Sequence, residues 1–563
     1  MTETPPQQHG LRPNSAINAP RVFWPAAIII LVFVILAVVL PERLGDTLST
    51  LNGTVIGDLG WYYVLLVSGC IFFGLWVAFS PMGKVVLGKD DEDPEFSLKS
   101  WFSMLFAAGM GIGLVFWGVA EPLNHFASPP PGTGESEAER AQAAMNTTFL
   151  HWGLHAWAIY VVVGLAIAYA VHRKNRPVSI RWALEPLLGE RVKGWLGDLI
   201  DTVAIIGTLF GVATSLGFGV SQVGAGLEFI GVVDEESTAL KVGLIIAITS
   251  VAVISVVTGV DKGIKWLSNI NMTTAGVFLI VVLILGPTVF ILGDFVQQLG
   301  SYTRDFLGLS FRTFSFEGEG GSSWLSGWTT FYWGWWISWA PFVGVFIARI
   351  SRGRTVREFV TGVLLVPTLV TFLWFSIMGG SALYREMFGS GGLIGEDGVD
   401  TTGALFQLLD GLPMSGLLSV VAMVLVIIFF VTSSDSGSFV VDMLASGGEL
   451  DPPVWSRIFW AALEGAVAAT LLVAGAVSGG DGLGALQTMA VLLALPFSFV
   501  MIAMMIAIVR ALMREQRLNA RAERRLLADE IAGHVARTVG TVEPIDDKLH
   551  RAHTEAGDRI GAP

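Results

Sequence analysis

Cysteine is nearly missing from this chain: one residue, Cys70, among 563. A disulfide framework and a cysteine-based metal site are thereby excluded. Charged residues are scarce, at 14%, too few for a soluble protein of this size. Histidine comes to eight residues, and no HExxH pair occurs, which leaves an intramembrane zinc enzyme without its usual ligands. Lysine and arginine total 34 against 47 aspartates and glutamates, a net charge of −13. No nucleic-acid partner is expected from such a balance. No short repeat of fixed period is present, which excludes a solenoid.

What the chain has instead is apolar length. Hydrophobic residues make up 53% of it and the mean hydropathy is +0.65. Runs such as FWPAAIIILVFVILAVVL, Phe23 to Leu40, are long enough to cross a hydrocarbon core of about 30 Å. Twelve such spans are expected, centred near residues 31, 70, 110, 160, 208, 250, 282, 340, 368, 424, 466 and 498. The first lacks a small-residue cleavage site and follows a polar, Pro-rich segment, so it reads as a retained span. This is an all-α polytopic membrane protein.

The loops give its orientation. Basic loops fall on one side: Arg173 to Trp182, Asp261 to Lys265, Ala348 to Glu358 and the tail from Arg510. Acidic ones, Gly134 to Glu139, Val233 to Glu236 and Gly395 to Asp400, fall on the other. The excess of Lys and Arg on one side puts both termini in the cytoplasm. The acidic loop Ser446 to Pro453 should also lie inside and breaks the pattern. In the tail, Arg514, Arg517, Arg521 and Arg524 share one helix face. A solvated helix is the plainer reading of that face; contact with anionic lipid headgroups is the sharper one.

Two spans carry helix-weakening residues. The third contains AAGMGIG, Ala107 to Gly113, and glycines at alternate positions invite unwinding where protein or a wet cavity can satisfy the backbone. Close packing through small residues is the alternative. The eighth contains FYWGWWISWAP, Phe331 to Pro341, with Gly334 early and Pro341 in mid-helix. At 100° per residue, Trp335, Trp339, Phe342 and Phe346 form a narrow stripe, Trp336 lies about 60° to one side of Trp339, and Trp333 points away. An interfacial aromatic belt would suit Trp333; the rest continue toward the middle of the helix. In HWGLHAWAIY, Trp152, Trp157 and Tyr160 fall within an arc of about 140°. Facing aromatic surfaces of this kind hold a quaternary ammonium by cation–π contact. No acidic side chain precedes Glu121 in these segments, so the ligand is expected to bring its own negative group. In FFVTSSDSGS, Phe429 to Ser438, Thr432 and Ser433 offer hydroxyls one turn after the Phe429 carbonyl. Oxygen ligands without full charge suit a monovalent cation, and a hydroxyl-rich helix end is the alternative.

Together GMGIG, HWGLHAWAIY, WWISWAPFVGVFIARISRGR and VTSSDSGS resemble the betaine/carnitine/choline transporter family, from about Val22 to Arg510. The resemblance implies an inverted-repeat (LeuT-like) fold of twelve transmembrane helices, two five-helix halves preceded by two extra helices. The expected division is an N-terminal tail 1–21, two additional helices 22–98, a first repeat 99–299 and an extracellular connection 300–325. A second repeat 326–512 and a cytoplasmic tail 513–563 complete it. Trp152, Trp157, Tyr160 and Trp336 are the implied prism around a trimethylammonium group. Trp335 and Trp339 are the implied partners during passage and for the carboxylate, with Phe331, Ser338 and Met110 nearby. The implied sodium site uses Ala107, Met110, Phe429, Thr432 and Ser433. A second sodium site would fall at Thr208 and Phe342, although Val212 stands where another hydroxyl would serve. Glycine at 113, where choline transporters of the family have Asp, favours a zwitterion.

The function implied is sodium-coupled symport of glycine betaine by alternating access, with sodium as coupling ion and no other cofactor. Carnitine, choline, ectoine or a sulfonium analogue, or sodium-independent exchange, are the alternatives. The resemblance also implies a homotrimer in a bacterial cytoplasmic membrane and a part in osmoprotection. An intramembrane enzyme built on His151 and His155, one turn apart, a channel and a non-transporting sensor are the competing classes. Orienting hydrogen bonds at a helix start account for the histidine pair without a metal.

Overall fold

The computed structural model describes residues 18–51, 53–54, 57–109, 111–258, 261–477 and 482–539, with side chains left undescribed at 108–109, 256–258, 261–266, 519, 522–523 and 538–539. Met110 of the expected substrate and sodium sites lies outside the described residues. No β-strand occurs among the described residues. The long helices are α1 (Pro20–Val39), α2 (Gly57–Phe79), α3 (Leu98–Gly109), α4 (Ile112–Ala127), α5 (Glu137–Trp152), α6 (Leu154–Ala168), α7 (Trp195–Phe229) and α8 (Thr238–Thr258). They continue as α9 (Asp261–Leu285), α10 (Thr288–Ser310), α11 (Phe331–Ile350), α12 (Val356–Phe388), α13 (Ser415–Ala445), α14 (Val454–Val477) and α15 (Leu483–Val539).

Among the described residues ten spans are long and apolar enough to cross a membrane, and the bent pair α3–α4 makes up to eleven. The eighth expected span, α11, falls outside that measure because its tryptophans, glycines and proline make it less apolar. The expected boundary at 299/300 falls inside α10, and the segment from Thr288 to Ser310 is one 23-residue helix. The part of α15 from Arg510 onward belongs to a second compact unit, in which Arg514, Arg517, Arg521 and Arg524 are exposed.

Burial separates a central set from a peripheral one. The spanning windows of α5–α6 and α7 are 89% and 94% buried, those of α8 and α9 only 22%. The peripheral helices turn large apolar side chains outward, such as Ile28, Ile35 and Val39 on α1 and Ile246 and Ile254 on α8. Apolar faces on closed backbone hydrogen bonding are what lipid requires. The central helices are close enough for backbone contact. A Cβ added at Gly344 of α11 would lie 2.7 Å from Val163 and 3.1 Å from the Gly164 nitrogen of α6.

The interruptions differ from those the residues predicted. The third span does break, bending 64° between α3 and α4. The eighth does not: α11 runs unbroken through Gly334 and Pro341. Gly334 serves approach instead, since a Cβ there would sit 2.7 Å from the Val491 Cα of the last spanning helix, and Ser338 one turn on donates to the Ala490 carbonyl at 2.7 Å. Small residues at i, i+4 let two helices touch. The fourth span carries a break of its own at Gly153, where a Cβ would collide with the Phe149 carbonyl and the Phe372 ring. This span starts well before the histidines, at Glu137, with a capping box between Ser136 and Glu139. His151 therefore lies in the last turn of α5 and His155 at the start of α6, on either side of the break at Gly153.

The acidic loop that broke the charge pattern has local partners. Asp451 pairs with Arg457 at 2.6 Å, and Asn18 donates to Glu449 at 2.9 Å. That bond puts Asn18 beside this loop. On the basic side, residues 85–95 run against 352–356, with Leu87 and Arg354 exchanging backbone hydrogen bonds through Gly353 and ion pairs Asp90–Arg173 and Glu92–Arg352 at 2.6 Å. The backbone N–H of Lys89 and then the Arg352 guanidinium hold the Glu92 carboxyl below the usual range.

Candidate substrate and cation site

A cavity of about 1380 Å³ opens among the central helices. Trp152, Trp157, Tyr160, Trp335, Trp336, Trp339 and Phe342 line it, and so do Ala107, Phe429, Thr432 and Ser433. Three expected residues are not on its lining. Phe331 stacks behind Trp335 at 5.6 Å and 15°. Ser338 is spent on Ala490, and Thr208 donates to the Ala204 carbonyl of its own helix at 2.8 Å. Of the second sodium site, only Phe342 faces the cavity.

The aromatic wall is a set of rings held at fixed angles. Trp335 and Trp336 stack at 4.6 Å and 16°, and Trp152 meets Trp336 edge-on at 4.9 Å and 71°. Tyr160 stands across from Trp336 at 6.5 Å and 75°, with Trp157 at 5.4 Å from Tyr160. Ring faces set at steep angles around one space present negative quadrupole density to a cation between them. Two of the rings are fixed by their nitrogens. Trp336 Nε1 donates to the His151 carbonyl at 2.9 Å, and Trp339 Nε1 to the Gly211 carbonyl at 2.7 Å. The break at Gly153 contributes here, because the last carbonyls of a helix need partners from outside it. His151 receives Trp336, and the Trp152 carbonyl receives Thr371 Oγ1 at 3.0 Å. Trp335 Nε1 is buried and has no partner in the protein.

Gly113 is a direct neighbour of the cage. A Cβ there would lie 2.8 Å from Trp335 and 2.9 Å from Trp152. Both indoles occupy the space that any side chain would need.

Trp333 is not an interfacial residue. It is 2% exposed and stacks on His155 at 5.3 Å and 17°, away from the cage as its helical position required. The two histidines do not act as a pair: His151 faces Glu121, and neither ring nitrogen of His155 has a partner.

Glu121 is the residue the sequence reading passed over. It is wholly buried on α4, and its Oε2 accepts from Trp152 Nε1 at 2.6 Å and Tyr332 Oη at 2.5 Å. Its Oε1 stands 2.7 Å from His151 Nδ1 and 3.3 Å from His125 Nε2. Glu121, His125 and His151 thus form a compact acid–imidazole cluster, with His151 Nε2 3.0 Å from Thr329 Oγ1. A buried carboxyl group therefore stands directly behind the cage, whereas none was expected near it. The signal available was Glu121 itself, an acidic residue inside a spanning segment. Beyond this cluster Trp324, Trp328 and Arg312 close the site. Burial lowers the Arg312 guanidinium to about 10, still charged at neutral pH, and its Nη2 donates to Thr147 at 3.3 Å.

The opposite wall is made of oxygens. Thr432 and Ser433 are partly exposed to the cavity, and Thr432 Oγ1 donates to the Ile428 and Phe429 carbonyls at 2.8 and 3.2 Å. An all-oxygen, uncharged donor set opposite an aromatic cage fits a hard monovalent cation. From the cage the cavity continues to Glu95, Asn175, Asp451 and Arg457, loop and helix-end residues on the basic side.

The family model described as "BCCT, betaine/carnitine/choline family transporter" matches residues 21–517. The chain belongs to the betaine/carnitine/choline transporter family. It is accordingly a multi-pass membrane transporter and not an enzyme. Among similar proteins of this family is the glycine betaine transporter OpuD of Bacillus subtilis, 44% identical over 504 residues that cover 89% of this chain and 96% of that one. Glycine betaine transporter 1 of Vibrio parahaemolyticus is 44% identical over 500 residues, 88% and 94% of the two chains. An uncharacterized transporter of Mycobacterium tuberculosis is 52% identical over 506 residues, 88% of this chain and 84% of the other.

Proposed function

We propose that this family member carries glycine betaine into the cell together with sodium, by alternating access in a LeuT-like inverted repeat. The observation that carries the substrate class is the angled cage of Trp152, Trp157, Tyr160, Trp335 and Trp336, which fits a trimethylammonium group. Each desolvated cation–π contact contributes about 2 kcal/mol. Trp335 Nε1, buried without a partner in the protein, is a donor left over for a carboxylate, and the names of the relatives favour betaine among the zwitterions. Sodium coupling is supported by Ala107, Phe429, Thr432 and Ser433 facing the same cavity as the cage, so that ion and substrate bias one conformational equilibrium. Alternating access is supported by the asymmetry of the cavity, open toward the basic loops and sealed at Glu121, Trp324 and Trp328. By the positive-inside rule the open side is the cytoplasm. Sodium binds first and shapes the break between α3 and α4; the zwitterion follows, and the repeats rock around it. A homotrimer in a bacterial cytoplasmic membrane, with the Arg face of the tail against anionic headgroups, completes the reading.

Uptake of labelled glycine betaine into proteoliposomes, with and without an inward sodium gradient and beside Trp336→Leu, tests this. Sodium-driven uptake that the substitution abolishes is the expected result. Uptake indifferent to sodium would overturn the coupling, and uptake unaffected by Trp336→Leu would overturn the cage.

A further inference from the structure

Glu121 and Glu464 both lie buried in spanning helices, and they differ in one respect. Glu121 is surrounded by donors. Glu464, on α14 and 2% exposed, has a carboxyl oxygen, Oε1, that finds no partner in the protein. A carboxyl group inside a membrane protein without a partner is costly, and such residues mark ion pathways.

The surroundings of Glu464 are of the same kind. Its Oε1 lies 3.6 Å from where a Cβ of Gly437 would be, on α13, and Gly437 in turn packs on Val212 of α7. Seven residues along, Gly219 of α7 packs on Phe430 of α13. These two contacts fix α7 and α13 as antiparallel neighbours in a register that sets Ser215 opposite Ser434, one turn from the Gly437 contact. Ser215 and Ser434 are 3% and 0% exposed, and neither hydroxyl has a partner in the protein. Thr249 of α8, which lies against Gly465, is a further buried hydroxyl without one. Orphan oxygens on four helices thus lie around the Gly437 contact of α13 and the Gly465 contact of α14. A proton on Glu464 would satisfy one of these oxygens, whereas a cation with several oxygen ligands satisfies them together.

We infer that Ser215, Ser434 and Glu464, with Thr249 beside them, form a sodium-binding site separate from that at Thr432 and Ser433. The two sites share α13, since Ser434 follows Ser433, so that filling one draws α7 and α14 onto the helix that carries the other. Coupling of this kind is reciprocal.

The test is direct binding of radioactive sodium to the full-length protein in detergent at equilibrium, without transport. Glu464→Gln is expected to bind one sodium fewer per protomer than the wild type. Thr432→Ala with Ser433→Ala is expected to lose a different one, so that all three substitutions together lose two. Because the readout is binding, it stands apart from whether sodium drives uptake. Should Glu464→Gln fail to fold, Ser215→Ala with Ser434→Ala carries the test, with one ion bound at least about tenfold more weakly. Unchanged sodium binding in the folded variant overturns the inference, including the case in which only the pH dependence of uptake moves, which would make Glu464 a proton site.

Discussion

On one side of the cavity three indole N–H groups are held by other helices, with that of Trp335 left over, and on the other the Thr432 hydroxyl bonds to carbonyls of its own helix. Trp152, Trp336 and Trp339 have their N–H groups held by Glu121, the His151 carbonyl and the Gly211 carbonyl. The rings sit at 1–7% exposure wherever they meet one another at Trp152, Trp335 and Trp336. Thr432 and Ser433 stand partly exposed across from them, and the Thr432 hydroxyl turns back to carbonyls of its own helix. The aromatic wall is shaped before the ligand arrives, which lowers the cost of binding. The oxygen wall needs an ion to give its groups a common target. Substrate affinity should therefore depend on packing, and coupling on ligand oxygens.

The largest effect expected is that of Gly113→Leu. The added side chain would drive into Trp152 and Trp335, and overpacking of about 2–3 kcal/mol should weaken betaine binding about 100-fold in a tryptophan-fluorescence titration. Binding within a few-fold of the wild type would mean that the wall is soft. Next comes Trp336→Leu, which removes one cation–π face and should weaken binding about 30-fold in the same titration. Glu121→Gln keeps the size of the side chain but replaces one carboxyl oxygen with an amide group that cannot accept. Leaving a buried donor such as the Trp152 N–H unsatisfied costs about 1–3 kcal/mol, so affinity should fall about tenfold and the melting temperature should drop with it. An unchanged affinity would show that ring packing such as that against Trp336 holds Trp152 without Glu121. The smallest effect on substrate is expected from Thr432→Ala. Betaine affinity at saturating sodium should stay within twofold, while the sodium concentration for half-maximal uptake rises about tenfold. If both parameters move together, the two walls are not separable in the way the geometry implies.

Much of the cage was legible before any fold was known. Helical spacing put Trp335, Trp339 and Phe342 on one stripe and turned Trp333 away, and the structure has Trp333 stacked on His155 outside the cavity. The spacing is local, and an α-helix fixes directions over a few residues. It failed where a residue's meaning depends on a different helix. Gly334 and Pro341 read as a break in α11, yet Gly334 is a point of approach to Val491, about 150 residues away in sequence. Ser338 and Thr208 carry hydroxyls of the right kind in the right spans, but tertiary contact gives one to Ala490 and local back-bonding gives the other to Ala204.

Composition alone was enough to require a membrane, since 53% apolar and 14% charged residues have no other solvent to face. Motif and spacing were enough for an aromatic surface and a family. Which buried carboxyl group is satisfied was beyond both. Glu121 and Glu464 are each a lone acid in an apolar run, identical by any local measure. Trp152, Tyr332 and His151 converge on the first from two other helices, and no donor of the protein reaches Oε1 of the second. A hydrogen bond is decided within about 3 Å, and only the packing of distant segments sets distances that short.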